Sequence, residues 1–235
     1  MKHQFAIPIV VLFVVGCILV PIQAAPDTRN FNFSGFTEVS VGYGMHVVIT
    51  QGRNFQVTVT AEPETFERLK VYKSGATLEF EMASNGWFRS NRGRVDVAIT
   101  MPVLNGLDLS GGAEADLTMD VASENVRLEL SGGAELKGQL RCADAEISAS
   151  GGGEITLVGS AEKLRLDGSG GSEFHLKEFG VRDVAADMSG GSTATVNMNG
   201  TLDGDLSGGS QITYYGTATV GNTDFSGGSK IRKGN

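Results

Sequence analysis

Cysteine, histidine, proline and aromatic residues are all scarce in this chain, and each scarcity excludes something. Two cysteines among 235 residues cannot build a disulfide framework. Cys17 lies in an apolar leader, which leaves Cys142 alone, a small residue near a turn. Of the three histidines, only His46 and His175 lie beyond the leader. Two isolated imidazoles make a poor transition-metal site. Aromatic residues are 7% of the chain, which suits a narrow interior with little room for rings. Cations are also in deficit: 19 Lys and Arg against 27 Asp and Glu give a net charge of −8. That balance argues against nucleic acid or an anionic membrane as partner, since both need basic patches.

One long apolar run exists, from Phe5 to Val20, preceded by Lys2 and followed by Ala24 and Ala25. This is the layout of a secretory signal peptide, and the run is short for a membrane span. Residues 1–24 are therefore expected to be removed, leaving an exported chain with no integral membrane span. Two alternatives stand beside cleavage at Ala24. The run could be retained as an anchor, or Val14-Val15-Gly16-Cys17 could serve as a lipobox with Cys17 acylated. The stretch from Ile18 to Ile22 stays apolar where lipoproteins turn polar.

Glycine, by contrast, is abundant, at 33 residues, and it is spaced rather than clustered. Seven Ser-Gly-Gly triplets begin at Ser110, Ser131, Ser150, Ser169, Ser189, Ser207 and Ser226, at intervals of 18 to 21 residues. Around each triplet, apolar residues fall on every second position. Leu107 and Leu109 precede the first, with Ala115 and Leu117 after it. Leu128 and Leu130 precede the second, with Leu136 after it. Period-two alternation sends one set inward and the other outward. A repeat near twenty residues built on such strands predicts a β-solenoid with 19–20 residues per coil, stabilised by stacking. Each Gly-Gly makes a corner, because glycine adopts positive φ without steric cost. A second, looser corner is expected at segments such as 120–125 and 160–163. The pattern divides the chain into a leader (1–24), irregular N-terminal coils or a cap (25–106) and a regular β-helix (107–235). A separate small β-domain over 31–106 is the alternative. In that region Val39, Val41, Val47, Ile49, Val57, Val59, Leu78, Phe80, Val95, Val97 and Ile99 alternate, and residues 63–69 could form one short helix led by Pro63.

Two outward columns carry the charge. Asp108, Glu129, Asp167 and Asp187 stand two residues before their serines. Glu114, Glu135, Glu154 and Glu173 stand four residues after. Like charges ~5 Å apart in water repel by roughly 0.8 kcal/mol, a cost that a solvated face tolerates. The columns are expected to be a solvated ladder that keeps flat β-faces soluble, with weak Ca²⁺ binding as the sharper reading. No basic partners are expected beside them. The corner serines, and the small residues three after each, stack as well, so their hydroxyls can bond along the axis. No serine has a histidine at a fixed offset to activate it. The loop holding Trp87, Phe88, Arg89 and Arg92 breaks the pattern and offers the residue types of a ligand-contact loop.

Several segments together resemble the bacterial DUF2807 family, known as the "putative autotransporter adhesin, head GIN domain". They are Phe36-Thr37-Glu38-Val39-Ser40-Val41, Val47-Val48-Ile49-Thr50-Gln51-Gly52, Thr100-Met101-Pro102 and the run from Leu104 to Ala113, continued by the Ser-Gly-Gly ladder. The resemblance implies an all-β, right-handed parallel β-helix, secreted or attached to a bacterial envelope, with no catalytic residues and no cofactor. The expected function is that of a non-enzymatic adhesin or binding module for an envelope or extracellular ligand, glycan or protein. The rival readings are a polysaccharide-active, pectin-lyase-like enzyme and a structural envelope protein.

Overall fold

The computed structural model of the protein describes residues 25–83, 93–120 and 124–235. Its strands, in chain order, are β1 (Asp27–Phe31), β2 (Glu38–Val41), β3 (His46–Gln51), β4 (Gln56–Ala61), β5 (Leu69–Ser74), β6 (Thr77–Met82), β7 (Val95–Met101), β8 (Gly106–Leu109), β9 (Glu114–Met119), β10 (Asn125–Leu130), β11 (Glu135–Arg141), β12 (Asp144–Ala149), β13 (Glu154–Gly168), β14 (Glu173–Met188), β15 (Thr193–Met198), β16 (Thr201–Leu206), β17 (Gln211–Gly216), β18 (Thr219–Phe225) and β19 (Lys230–Lys233). The helix expected over 63–69 is a single turn, α1 (Pro63–Phe66), with Pro63 at its start.

Strand pairing makes a β-solenoid of about seven turns. Each coil contributes one strand to each of two walls. The first wall runs β7–β3–β9–β11–β13–β14–β15–β17–β19. The second runs β6–β2–β8–β10–β12–β13–β14–β16–β18. All of these pairings are parallel. β13 and β14 serve both walls, so the second corner expected at 160–163 is no break: the strand bends through it, with Gly159 at φ 127°.

The coils do not stack in chain order at the N-terminal end. The pair β2/β3 lies between β6/β7 on one side and β8/β9 on the other. The outer coil is then covered by antiparallel strands, β5 on β6 and β4 on β7, with β1 on β4.

The predicted inward positions are the core. In the second wall Leu107, Leu128, Ile147 and Leu166 stack in register, and none is more than 2% exposed. In the first wall Ala115, Leu136, Ile155, Phe174, Ala194 and Ile212 stack likewise, and all are buried. Volumes compensate across the walls. A Cβ on Gly168 would lie 2.9 Å from the Phe174 ring, so the glycine makes room for the phenyl group. The longer coil after Ser169 places its extra length in register shifts on both sides of β14 and turns Phe179 into the core.

The corners come in two forms. Both glycines have positive φ in Gly111-Gly112 and Gly132-Gly133, but from Gly151 onward only the first does. In the last four corners the residue three after the corner serine is itself a serine, and its hydroxyl closes the turn. Ser172, Ser192, Ser210 and Ser229 each donate Oγ–H to the corner serine's carbonyl, at 2.8–3.2 Å.

Candidate binding wall

Register places the predicted acidic columns as expected. Asp108, Glu129, Ser148, Asp167 and Asp187 are successive Cα partners on the second wall, and Asp205 and Asp224 extend the column. Glu114, Glu135, Glu154 and Glu173 form the matching column on the first wall, which runs on through His46 to Asp96.

The expectation that these acids lack basic partners is overturned. Arg127 pairs with Glu129 at 3.2 Å and Arg165 with Asp167 at 3.0 Å. Lys137 pairs with Glu135. His175 lies 3.3 Å from Glu173 and 3.5 Å from Glu154, bridging two coils. Each base stands two residues from its acid. Period-two alternation therefore puts both on one face, a signal already present in Arg127-x-Glu129 and Arg165-x-Asp167. His46 is likewise not a bystander, since its ring nitrogens meet Asp96 at 3.3 Å and Asp116 at 3.0 Å, linking three coils. Exposed pairs of this kind contribute about 0–1 kcal/mol each.

The pairings leave a graded field along the column. Packing around Asp108, reinforced by Glu129, raises its carboxyl above the usual range, and Arg127 offsets this only in part. The Glu135 carboxylate, by hydrogen bond and charge, holds the Lys137 ammonium above its ordinary range. Among the described residues, Asp187, Asp205 and Asp224 have no ion-pair partner.

Three surface grooves open on the second wall. One, about 510 Å³, runs between the Asp108–Asp187 column and the corner serines Ser131, Ser150, Ser169 and Ser189. It presents both a carboxylate and a hydroxyl on the Glu129, Asp167 and Asp187 coils, repeating at the ~4.8 Å strand spacing. A second, about 280 Å³, continues past Asp108 to Ser40 and Glu79. A third, about 460 Å³, lies at the other margin, where Arg127, Glu146 and Arg165 alternate in sign over an apolar floor of Val126, Ala145, Leu164 and Val184.

The two serine columns differ in kind. The corner serines reach the surface, but Ser172, Ser192 and Ser210 are fully buried. The hydroxyls of Ser192, Ser210 and Ser229 bond the preceding coil's carbonyls at Gly168, Met188 and Leu206. The inter-coil acceptors are backbone carbonyls rather than neighbouring hydroxyls.

Burial pushes the Cys142 thiol up to about 11, so it stays protonated and unreactive at neutral pH. Among the described residues no group of three or more His, Cys, Asp or Glu could hold a metal ion. No described helix is long and apolar enough to cross a membrane. Trp87, Phe88, Arg89 and Arg92, and the leader with Cys17, lie outside the described residues.

The geometry defines a parallel β-solenoid with one furrowed, polar wall. The chain belongs to the family described as "Putative auto-transporter adhesin, head GIN domain", whose model matches residues 35–218. Similar folds occur in a "putative adhesin" from Bacteroides fragilis (19% identity, 88% of this chain and 96% of that one, TM-score 0.78) and a "putative adhesin" from Parabacteroides merdae (16%, 91% and 98%, TM-score 0.69). A "putative lipid binding protein" from Parabacteroides distasonis is also similar (16%, 91% and 98%, TM-score 0.68). At these identities the likeness is one of fold. No curated protein matches the chain.

Proposed function

We propose that the protein is an exported, non-enzymatic binding module of the cell envelope that holds an extended glycan or protein segment along its second wall. One observation carries this reading: three grooves share one wall whose polar groups repeat coil by coil. Repeating carboxylates and hydroxyls suit a repeating ligand, and rigid strands present them with little loss of freedom on binding. Membership of an adhesin-like family supports the same reading. The exported chain, starting at Ala25, would bind without a resident cofactor and would take up Ca²⁺ weakly along the acidic columns.

A screen of the purified exported chain against envelope and extracellular glycans and proteins tests the proposal. A ligand lost on Asp167→Asn with Asp187→Asn, but kept on Glu154→Gln with Glu173→Gln, supports binding at the second wall. The reverse pattern moves the site to the first wall. A polysaccharide-active reading draws on one observation, the Arg127–Glu129 and Arg165–Asp167 pairs beside the groove. Release of reducing or unsaturated ends from uronate polymers would favour it.

A further inference from the structure

One corner of the solenoid departs from the rule of the others. In the β2/β3 coil, Gly42-Tyr43-Gly44 stands where the next coil has Ser110-Gly111-Gly112. The Ser110 N–H donates to the Val41 carbonyl and the Glu114 N–H to that of Met45, which fixes this alignment. Tyr43 thus heads the column of first corner glycines. A Cβ on Gly111 would meet the Tyr43 nitrogen at 3.3 Å, as one on Gly132 would meet that of Gly111 at 3.4 Å. The φ of Tyr43 is 62°, the one positive value at a non-glycine among the described residues, and every Ser-Gly-Gly corner that follows has glycine there. In this conformation a Cβ crowds the following carbonyl, and such strain persists where the surrounding structure enforces it and function uses it. Packing does not account for the residue. Its side chain is 50% exposed, against 1% for Val41 and Met45 on either side of the turn. Among the described residues none holds it by a hydrogen bond or ring contact.

We propose that Tyr43 is a stacking platform for a sugar ring of an extended glycan that lies along the second wall. The proposal rests on the binding role proposed above and narrows its ligand to a glycan. Position supports it. Ser40, in the same coil, is the Cα partner of Asp108 and lines the second groove with it. Asp108 in turn lines the first groove, which the corner serines border. Tyr43 therefore occupies the same corner, one coil beyond Asp108, beside the line of repeating carboxylates and hydroxyls. A pyranose offers a C–H face to an aromatic ring and hydroxyls to carboxylates and serines. An exposed tyrosine supplies a rigid, amphipathic surface with little conformational freedom to lose. Spacing favours the same ligand. The wall repeats at ~4.8 Å, close to one unit of an extended, equatorially linked sugar chain, whereas same-face side chains of an extended peptide recur at roughly 6.6–6.8 Å and fall out of step. The carboxylates of Asp108, Glu129, Asp167 and Asp187 disfavour uronates, so the units are neutral or amino sugars.

Calorimetric titration of the exported chain with cellohexaose, N-acetylated chitohexaose and its free-amine form tests it. Binding of at least one is expected, weakened about tenfold or more by Tyr43→Gly and little by Tyr43→Phe, which keeps the ring. Because glycine suits a φ of 62°, Tyr43→Gly should leave Tm unchanged or raise it, which a packing role for the ring would not allow. A lower Tm on Tyr43→Gly, or equal loss of binding on Tyr43→Phe, would overturn the stacking role. Binding lost on Asp167→Asn with Asp187→Asn but untouched by Tyr43→Gly would also overturn it, while leaving the second wall as the site. A chain that takes none of the three sugars overturns the glycan assignment, and a protein ligand lost on the same double variant would still uphold the wall.

Discussion

The two glycines of one corner should respond in opposite directions to the same substitution. Gly208 has φ 70°. A Cβ added there would lie 2.7 Å from the Gly190 carbonyl oxygen, 3.1 Å from its nitrogen and 3.2 Å from its Cα, all backbone atoms. Alanine in that conformation costs about 1–2 kcal/mol. Relieving the clash opens the hydrogen bond from the Gly209 N–H to the Gly190 carbonyl, which removes about 1 kcal/mol more. Gly208→Ala should therefore destabilise by about 2–3 kcal/mol in all. Gly209 is not left-handed, and its added Cβ would meet the same oxygen at 3.5 Å, an ordinary contact. Gly209→Ala should be neutral or stabilise by about 0.4–1 kcal/mol, through the unfolded chain. Urea unfolding of the two variants beside the parent reads the difference directly. Unfolding free energies within about 0.5 kcal/mol of each other would refute the claim that stacked backbone, rather than glycine content, fixes the corner.

Leu128→Asp should destabilise by several kcal/mol by burying an unpaired charge, while Glu135→Gln should cost about 0.5 kcal/mol or less; chemical denaturation of both checks which face is inward. Two carboxylates should respond oppositely to pH. The Thr201 backbone N–H, with Arg182, holds Asp183 below its usual range. Its contribution is thus present above the unfolded pKa and lost as pH falls through the folded one, so Asp183→Asn should lower Tm at neutral pH and lose its effect in acid. Asp108 is raised, so Asp108→Asn should raise Tm at neutral pH, with the gain fading as the native aspartate protonates; melts across pH 2–7 decide both. Ca²⁺ at about 5 mM, roughly a hundredfold excess over a site of ~50 μM affinity, should move Tm by no more than Mg²⁺ does, because a tight site needs six or more oxygens and each coil offers few. A calcium-specific rise of several degrees would contradict this.

The inward set was legible because one rule, period two, governs it from Leu107 to Ile212, and burial follows that rule in both walls. The same rule also held the ion pairs, since Arg127 and Glu129 share a face by alternation alone. Those pairs run along a strand, whereas the acidic columns run between coils, so aligning the coils on their serines alone hides them. The stacking order of β6/β7, β2/β3 and β8/β9 was beyond reach. Alternation tells a strand which face is buried but not which neighbour lies beside it. All three coils carry similar apolar pairs, Leu78 and Phe80, Val39 and Val41, Leu107 and Leu109. The smooth bend of β13 through residues 160–163 is not legible locally, because Gly159 and Ser160 look like a turn when local preference is taken without the ladder on either side.

The distinction between the two serine columns narrows where specificity can reside. Ser172, Ser192 and Ser210 repeat faithfully, yet their hydroxyls are consumed by the Ser169, Ser189 and Ser207 carbonyls and sealed from solvent. The first corner glycines are fixed by backbone contact with the coil below. The most repetitive letters of the sequence therefore specify stacking, and they leave a ligand little to read there. Positions that vary from coil to coil while keeping their outward register are free of that duty. In one column, Asp108, Glu129, Ser148, Asp167 and Asp187 change in charge, length and pairing. In its neighbour, Arg127, Glu146 and Arg165 alternate in sign. A solenoid can change such side chains at a cost of a few tenths of a kcal/mol each without altering its coil. Selection for a particular partner would thus be recorded in the departures from the repeat on the second wall, and the repeat itself would record the fold.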